Sequence, residues 1–253
     1  MRILLTNDDG IRAPGLAAVC RRLAARHDVC VVAPETVQSA SGHGITLQTP
    51  LLTQRVKVVD DVEGIAVDGR PADCVKVALA ALVRPRPELV VSGINAGANV
   101  GINVIYSGTI AAAIEAAFLG VPAVALSLHL DKEADNDFDR AAAWSEPVID
   151  RIVAAGLGAG QVVSVNLPAL RSGEEPAGVK VVRQCTHPWT DEYERRTDPR
   201  GNDYFWNSSV FTLGSTDDDT DVAAIKRKFI TVTPLQFDLT DRDMLTTLEA
   251  HMG

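Results

Sequence analysis

The chain of 253 residues lacks most of the usual chemical signatures. Its four cysteines, Cys20, Cys30, Cys74 and Cys185, are widely spaced and form no CxxC pair. That pattern indicates neither a zinc site nor a disulfide framework, and reduced, buried cysteines in a cytoplasmic protein are expected. Basic residues are too few: Lys and Arg total 24 against 33 Asp and Glu, a formal net charge of −9. This argues against a non-specific nucleic-acid or anionic-membrane binder. A small anionic substrate stays compatible, because one bound cation reverses a local field. The first residues carry no signal-peptide pattern. The stretch Leu89 to Ile114 has no charge, but Gly93, Gly97, Gly101, Gly108 and three asparagines make it unsuitable as a membrane span. No internal repeat or low-complexity segment stands out.

What is present begins at the first ten residues. Ile3, Leu4 and Leu5 form an apolar run suited to a strand buried on both faces. Asn7-Asp8-Asp9-Gly10 then stops it with turn-forming residues. Ligands of open α/β sheets bind at the carboxyl ends of strands. Asp8 and Asp9 would repel there unless a positive charge lay between them, and a divalent cation with oxygen ligands is one solution. A solvated turn or a helix N-cap is the other reading of the same residues.

Strand and helix patterns then alternate. Helical spacing covers Gly15 to Ala25, and Val29 to Ala33 reads as a buried strand, giving a βαβ unit. No G-x-G-x-x-G follows the first strand, so the dinucleotide fingerprint is missing. A polar loop, Glu35 to Gly44, holds Ser39, Ser41 and His43 and falls on the same sheet edge as Asp8 and Asp9; His43 reads as an ordinary loop residue. Ile45 to Asp68 suggests short strands, Cys74 to Val83 a helix, and Leu89 to Val91 another strand ending at Ser92-Gly93.

The second informative stretch is Gly93 to Gly101, where glycines admit close backbone approach and asparagines offer neutral oxygens. Ser107-Gly108-Thr109 precedes an Ala-rich helix from Ile110 to Leu119. Small hydroxylated residues at a helix start either bind an anion or cap the helix, using the same donors. Ala123 to Leu128 and Val162 to Asn166 read as strands, with a helix over Arg140 to Ala155, which makes the fold class α/β.

The rhythm changes after Arg171. Val179 to Val182 and Ile230 to Thr233 suggest strands, separated by a long irregular excursion with Trp189, Tyr193, Tyr204 and Trp206. These aromatics suit a subunit interface or a cover over a substrate base. The run Asp217-Asp218-Asp219-Thr220-Asp221 is expected as a solvated loop, with a second metal site as its alternative. A helix is expected over Arg242 to His251.

Taken together, Met1 to Gly10, Val32-Ala33-Pro34, Pro71 to Val75, Val91 to Gly97, Tyr106 to Thr109, Asp198 to Asn202 and Thr231 to Leu235 resemble the SurE family of survival-protein nucleotidases over almost the whole chain. The resemblance implies a Rossmann-like three-layer α/β sandwich with a mostly parallel sheet: a single domain with a core over 1–170 and a C-terminal extension over 171–253 that supports a homodimer or homotetramer. It implies one divalent metal per subunit held by Asp8, Asp9, Ser39 and Asn95, and a phosphate held by Asn99, Ser107, Gly108 and Thr109. An all-oxygen set suits Mg²⁺ or Mn²⁺ better than zinc. The implied activity is hydrolysis of nucleoside monophosphates to nucleoside and phosphate, extending to 3′ esters and short polyphosphate, with Asp8 and Asp9 as the catalytic carboxylates. Gln38, Arg70 and Ala98 stand where the family often has Arg, Thr and Pro, which bears on substrate preference. The alternatives are a non-catalytic nucleotide-binding regulatory protein and a structural oligomer with a vestigial site.

Overall fold

The computed structural model describes every residue except 60, 189–191, 208–212, 215 and 253. Trp189 of the aromatic excursion therefore lies outside the described residues.

The apolar run at the start becomes β1 (Arg2–Thr6), whose side chains alternate between two cores. Ile3 and Leu5 face one layer and Leu4 the other, as the two-residue period of a strand requires. The first layer is covered by α1 (Pro14–Ala24) and α4 (Phe138–Ala154), which contribute Leu16, Val19, Leu23, Val148 and Ile149. The second is covered by α2 (Pro71–Val77) and α3 (Gly108–Phe118), with Val75, Ile110, Ala113 and Ala117. Alanines dominate the buried side of α3, so this helix approaches the sheet closely.

Around β1 run β2 (Asp28–Pro34), β3 (Thr53–Val59), β4 (Val62–Val67), β5 (Leu89–Ala96), β6 (Ala123–Leu128), β7 (Val162–Leu167), β8 (Val179–Val181) and β11 (Ile230–Leu235). The sheet of nine strands has the order β3-β4-β2-β1-β5-β6-β7-β11-β8. β4, β2, β1, β5, β6 and β7 are parallel neighbours, while β3 and β11 pair antiparallel with β4 and β7. The chain builds outward from β1 in one direction through β2 and β4, and in the other from β5. The order reverses between β1 and β5, so the crevice for a ligand lies where these two strands end.

Three expectations change. The helix expected from Cys74 starts at Pro71, because proline suits the first helical position and the Asp73 carboxylate accepts the Arg70 main-chain N–H at 2.9 Å. It then widens into a π-helical stretch over Ala78–Leu82. The strand expected to end at Ser92-Gly93 continues to Ala96 through a register slip against β6 between Ser92 and Asn95. Part of the irregular excursion is a hairpin of β9 (Tyr193–Thr197) and β10 (Asp203–Asn207).

The acidic run is the expected exposed loop over Asp217, Asp218 and Asp219, and departs from it only at the buried Thr220 and Asp221. Asp217 and Asp219 pair with Arg183, and Asp218 with Arg227. Asp221 opens α5 (Asp221–Lys226) at only 1% exposure and accepts the main-chain N–H groups of Gly101, Cys185 and Val222 at 2.9, 2.9 and 2.8 Å. Backbone amides satisfy this carboxylate. The last helix, α6 (Arg242–Met252), buries none of its residues. All four cysteines are free.

Candidate active site

Burial of β1 carries polar residues inward with it. Thr6 and Asn7 are buried, and the Asn7 Nδ2 donates to the Gly10 carbonyl at 2.9 Å, closing the turn that Gly10 makes at φ +95°. Between them this turn fixes Asp8 and Asp9 at the mouth of the β1–β5 crevice. Asp8 is 4% exposed, an unusual state for a carboxylate without a cationic partner. Neither Asp8 nor Asp9 forms an ion pair among the described residues.

Three elements converge on Asp8. The Thr109 hydroxyl, in the first turn of α3, donates to Asp8 Oδ1. Gly108 lies against the same side chain: a Cβ there would stand 2.8 Å from Asp8 Cβ and 3.0 Å from Oδ2. Only glycine permits that approach. The Asp8 carbonyl accepts the Gln38 N–H at 2.7 Å, which ties the loop carrying Ser39 to the site. Asp9 is anchored from the other side, its Oδ2 accepting the Ala96 N–H at 2.8 Å.

Asn95 lies at the end of β5 beyond the register slip. Its Nδ2 donates to the Gly97 carbonyl at 2.7 Å, so its Oδ1 is left as the acceptor. Gly97 holds φ +134°, a conformation that L side chains rarely adopt. Asn99 takes a different direction. Its N–H and Nδ2 donate to Asn166 Oδ1 and Ser127 Oγ at 2.8 and 2.9 Å, binding this loop to β7 and β6. Ser107 caps α3, its Oγ accepting the Ile110 N–H at 3.1 Å. Thus Asp8, Gly108 and Thr109 are in contact, Asp9 meets the end of β5 beside Asn95, and Ser39 is exposed on the adjoining loop.

The electrostatics follow from this burial. Desolvation pushes the Asp8 carboxyl up to about 6; the Thr109 hydrogen bond opposes it and the neighbouring Asp9 charge adds to it. Burial also raises Asp9, against the Ala96 amide. Among the described residues no group of three or more His, Cys, Asp and Glu could hold a metal ion. A cation here would therefore depend on two carboxylates supplemented by neutral oxygens. The donors fit such a role: Asp8 Oδ2, Asp9 Oδ1 and Asn95 Oδ1 are not used in the bonds just described, and the buried Asn7 Oδ1 has no hydrogen-bond partner. This hard, oxygen-only set suits an ion such as Mg²⁺ or Mn²⁺.

One cluster escaped the sequence reading. Glu115, on α3 and 6% exposed, meets His43 Nε2 at 2.7 Å and Lys76 Nζ at 3.0 Å. The His43 hydrogen bond, helped by Lys76 and opposed by burial, holds the Glu115 carboxyl below the usual range. Together with the Gly42 N–H to Tyr106 carbonyl bond at 3.1 Å, it fastens the Glu35–Gly44 loop to α3. His43 and Glu115 are 72 residues apart, so no local spacing signals the pair.

Fold and crevice define a Rossmann-like α/β protein whose switch point carries an acidic pair, Asp8 buried and Asp9 partly so, set against a helix N-terminus in place of a glycine cradle. Within that class the chain belongs to the survival protein SurE family, whose profile matches residues 3–191. It is 46% identical to the 5′-nucleotidase SurE of Syntrophobacter fumaroxidans and 49% identical to that of Nitratidesulfovibrio vulgaris strain DP4, with 98% of each chain covered in both cases. The crystal structure of the SurE protein from Aquifex aeolicus superposes with a TM-score of 0.85 at 31% identity, covering 100% of both chains.

Proposed function

We propose that the protein is a metal-dependent 5′-nucleotidase, a phosphomonoesterase that hydrolyses nucleoside monophosphates to nucleoside and phosphate. The observation that carries this reading is the contact of Asp8 with Gly108 and Thr109, which sets a carboxylate pair against the N-terminus of α3. Near full-length identity to proteins named 5′-nucleotidase supports it. Activity toward 3′ esters and short polyphosphate belongs to the same reading.

Asp8, Asp9, Ser39 and Asn95 would hold one divalent cation, Mg²⁺ or Mn²⁺, which when bound supplies Lewis-acid polarisation of the phosphoryl oxygens and a more acidic water. Asp8 and Asp9 serve as fixed negative charge for that purpose; Thr109 and Ala96 hold each in one orientation, so little reorganisation is needed during turnover. Ser107 and Gly108 provide donors at the start of α3, where free N–H groups and the helix dipole favour negative charge. Asn99 shapes the loop from behind through Asn166 and Ser127. Water is the nucleophile in this account: its oxygen forms the new P–O bond, the nucleoside oxygen leaves, and one proton passes to the leaving group.

Residues 1–170 form the catalytic core in this reading and 171–253 the extension that brings subunits together as a dimer or tetramer. Support comes from α6, whose Met244, Leu245, Leu248 and Met252 are exposed on helical spacing, and from the exposed Tyr204, Phe205 and Trp206 of the hairpin. A cytoplasmic location accords with the composition, and among the described residues no helix is long and apolar enough to cross a membrane. The test is the pair Asp8→Asn and Asp9→Asn: each should abolish most phosphate release while leaving the folded state intact. Near-full turnover by either would displace the assignment. Isolation of an acyl-phosphate on Asp8 after quenching with labelled substrate would replace water attack with carboxylate attack.

A further inference from the structure

The loop between β2 and β3 carries Ser39, and packing does not hold it. None of residues 35–45 is buried, and Val37 stands 62% exposed. Two residues have left-handed backbones around Ser41, Ala40 at φ +55° and Gly42 at φ +54°. A non-glycine residue keeps such a conformation only where surrounding contacts determine it. The position of Ser39 is therefore set by the polar contacts on either side of it.

Those contacts fall on two bodies. Upstream, the Gln38 N–H donates to the Asp8 carbonyl at 2.7 Å and pins the loop to the acidic turn. Downstream, the Gly42 N–H donates to the Tyr106 carbonyl at 3.1 Å, and His43 Nε2 meets Glu115 Oε2 at 2.7 Å. Tyr106 precedes the Ser107 cap, and Glu115 lies about two turns along α3 from Gly108. Both belong to the helix whose first turn bonds Asp8. Main-chain bonds of this kind are open to any sequence, whereas the His43–Glu115 bond depends on side chains. Lys76 Nζ, from α2, holds the other oxygen of Glu115 at 3.0 Å. Removing Lys76 would thus leave the loop clasped, and removing His43 would leave Glu115 paired.

We propose that His43 is a positioning residue for the metal site: its bond to Glu115 clasps the Ser39 loop to α3 and so sets how well Ser39 completes the oxygen set with Asp8, Asp9 and Asn95. The inference rests on the metal site proposed above and adds a residue that acts on it through the loop.

The test is the Mn²⁺ affinity of chelator-stripped full-length protein, measured by calorimetry, with amide hydrogen exchange over residues 39–42 as a second readout. His43→Ala should weaken Mn²⁺ binding about tenfold, the low end of what groups supporting a metal ligand contribute, and should speed exchange over that segment. His43→Asn, too short to reach Glu115, serves the same comparison where the alanine variant does not fold. His43→Gln, which keeps an N–H donor of similar reach, should recover part of both losses. Lys76→Met removes a cation from the same carboxylate without freeing the loop, and should change affinity by less than about twofold. In a Ser39→Ala background, His43→Ala should add less than about twofold, because the residue it positions has lost its oxygen. Unchanged affinity in His43→Ala, an equal loss in Lys76→Met, or a full further loss in the Ser39→Ala background would each overturn the role of His43 and leave the metal site standing. A wild type that binds neither Mn²⁺ nor Mg²⁺ would overturn the metal site and this inference together.

Discussion

Thr109 donates its hydroxyl proton to Asp8 across 101 residues of sequence, joining the end of β1 to the first turn of α3. This bond fixes the orientation of an acid at a strand end beside a helix N-terminus. Thr109→Val keeps the shape and removes the donor. Support groups of this kind typically change metal affinity or activity by about 10–100-fold. Divalent-ion titration followed by calorimetry, together with turnover at saturating substrate, should register a loss in that range. Unchanged affinity and turnover would mean that the bond is ornamental.

Gly108→Ala tests the closeness of the same approach. The added methyl would stand 2.8 Å from Asp8 Cβ and 3.1 Å from Pro71 Cγ, so Asp8 or the start of α3 must shift. Turnover should fall at least about tenfold, since small misplacements of reacting groups are costly. The thermal midpoint should move little by comparison. Wild-type turnover would show that the gap between helix and carboxylate is not critical.

Glu115 gives a pH prediction. Its carboxyl is held below the ordinary value by His43, with Lys76 adding to the effect and burial opposing it. A depressed acid stabilises the fold above its unfolded pKa, and that contribution disappears as pH falls through the folded value. Glu115→Gln should therefore be less stable than wild type near neutral pH. The gap in thermal midpoint should close below about pH 4. A gap that stays constant across this range would remove the ion pair from the account.

Asp221 and Asp218 separate buried from solvated acid within one run. Asp221→Asn replaces one acceptor oxygen by an amide that faces backbone N–H groups, at an expected cost of about 1–3 kcal/mol. Asp218→Asn, at an exposed pair with Arg227, should stay within about 1 kcal/mol. Denaturant midpoints measure both. Equal effects would contradict the placement of Asp221 at the start of α5.

Leu245→Glu with Leu248→Glu places charge on the exposed stripe of α6. Light scattering after size exclusion should report a smaller assembly than wild type. No change in mass would place the subunit contacts elsewhere.

The sequence made the core legible because β1, β2, β5, β6 and β7 are buried on both faces and so read as apolar runs. The acid pair was legible for the same reason: a polar turn contrasts sharply with such a strand. Asn95 was harder to place. At Gly93, φ +133° and a would-be Cβ only 2.2 Å from the Leu126 carbonyl carry the strand past an apparent stop, and that approach is a property of β6. The β9–β10 hairpin has every residue exposed, so no buried face imposes a two-residue alternation. α5 is only six residues long, and its Thr220 cap is submerged in the acidic run. The Thr109–Asp8 and His43–Glu115 bonds join distant segments and depend wholly on topology.

In the proposed reaction a cation held at Asp8 and Asp9 enables phosphoester hydrolysis. The most direct measurement is phosphate release from a panel of nucleoside 5′- and 3′-monophosphates by chelator-stripped protein, before and after Mg²⁺ or Mn²⁺ is restored. Phosphate should not be released without metal and should be released from 5′-monophosphates once it returns. Full activity in the stripped protein, or none with either metal in protein shown to be folded, would contradict this role of the cation.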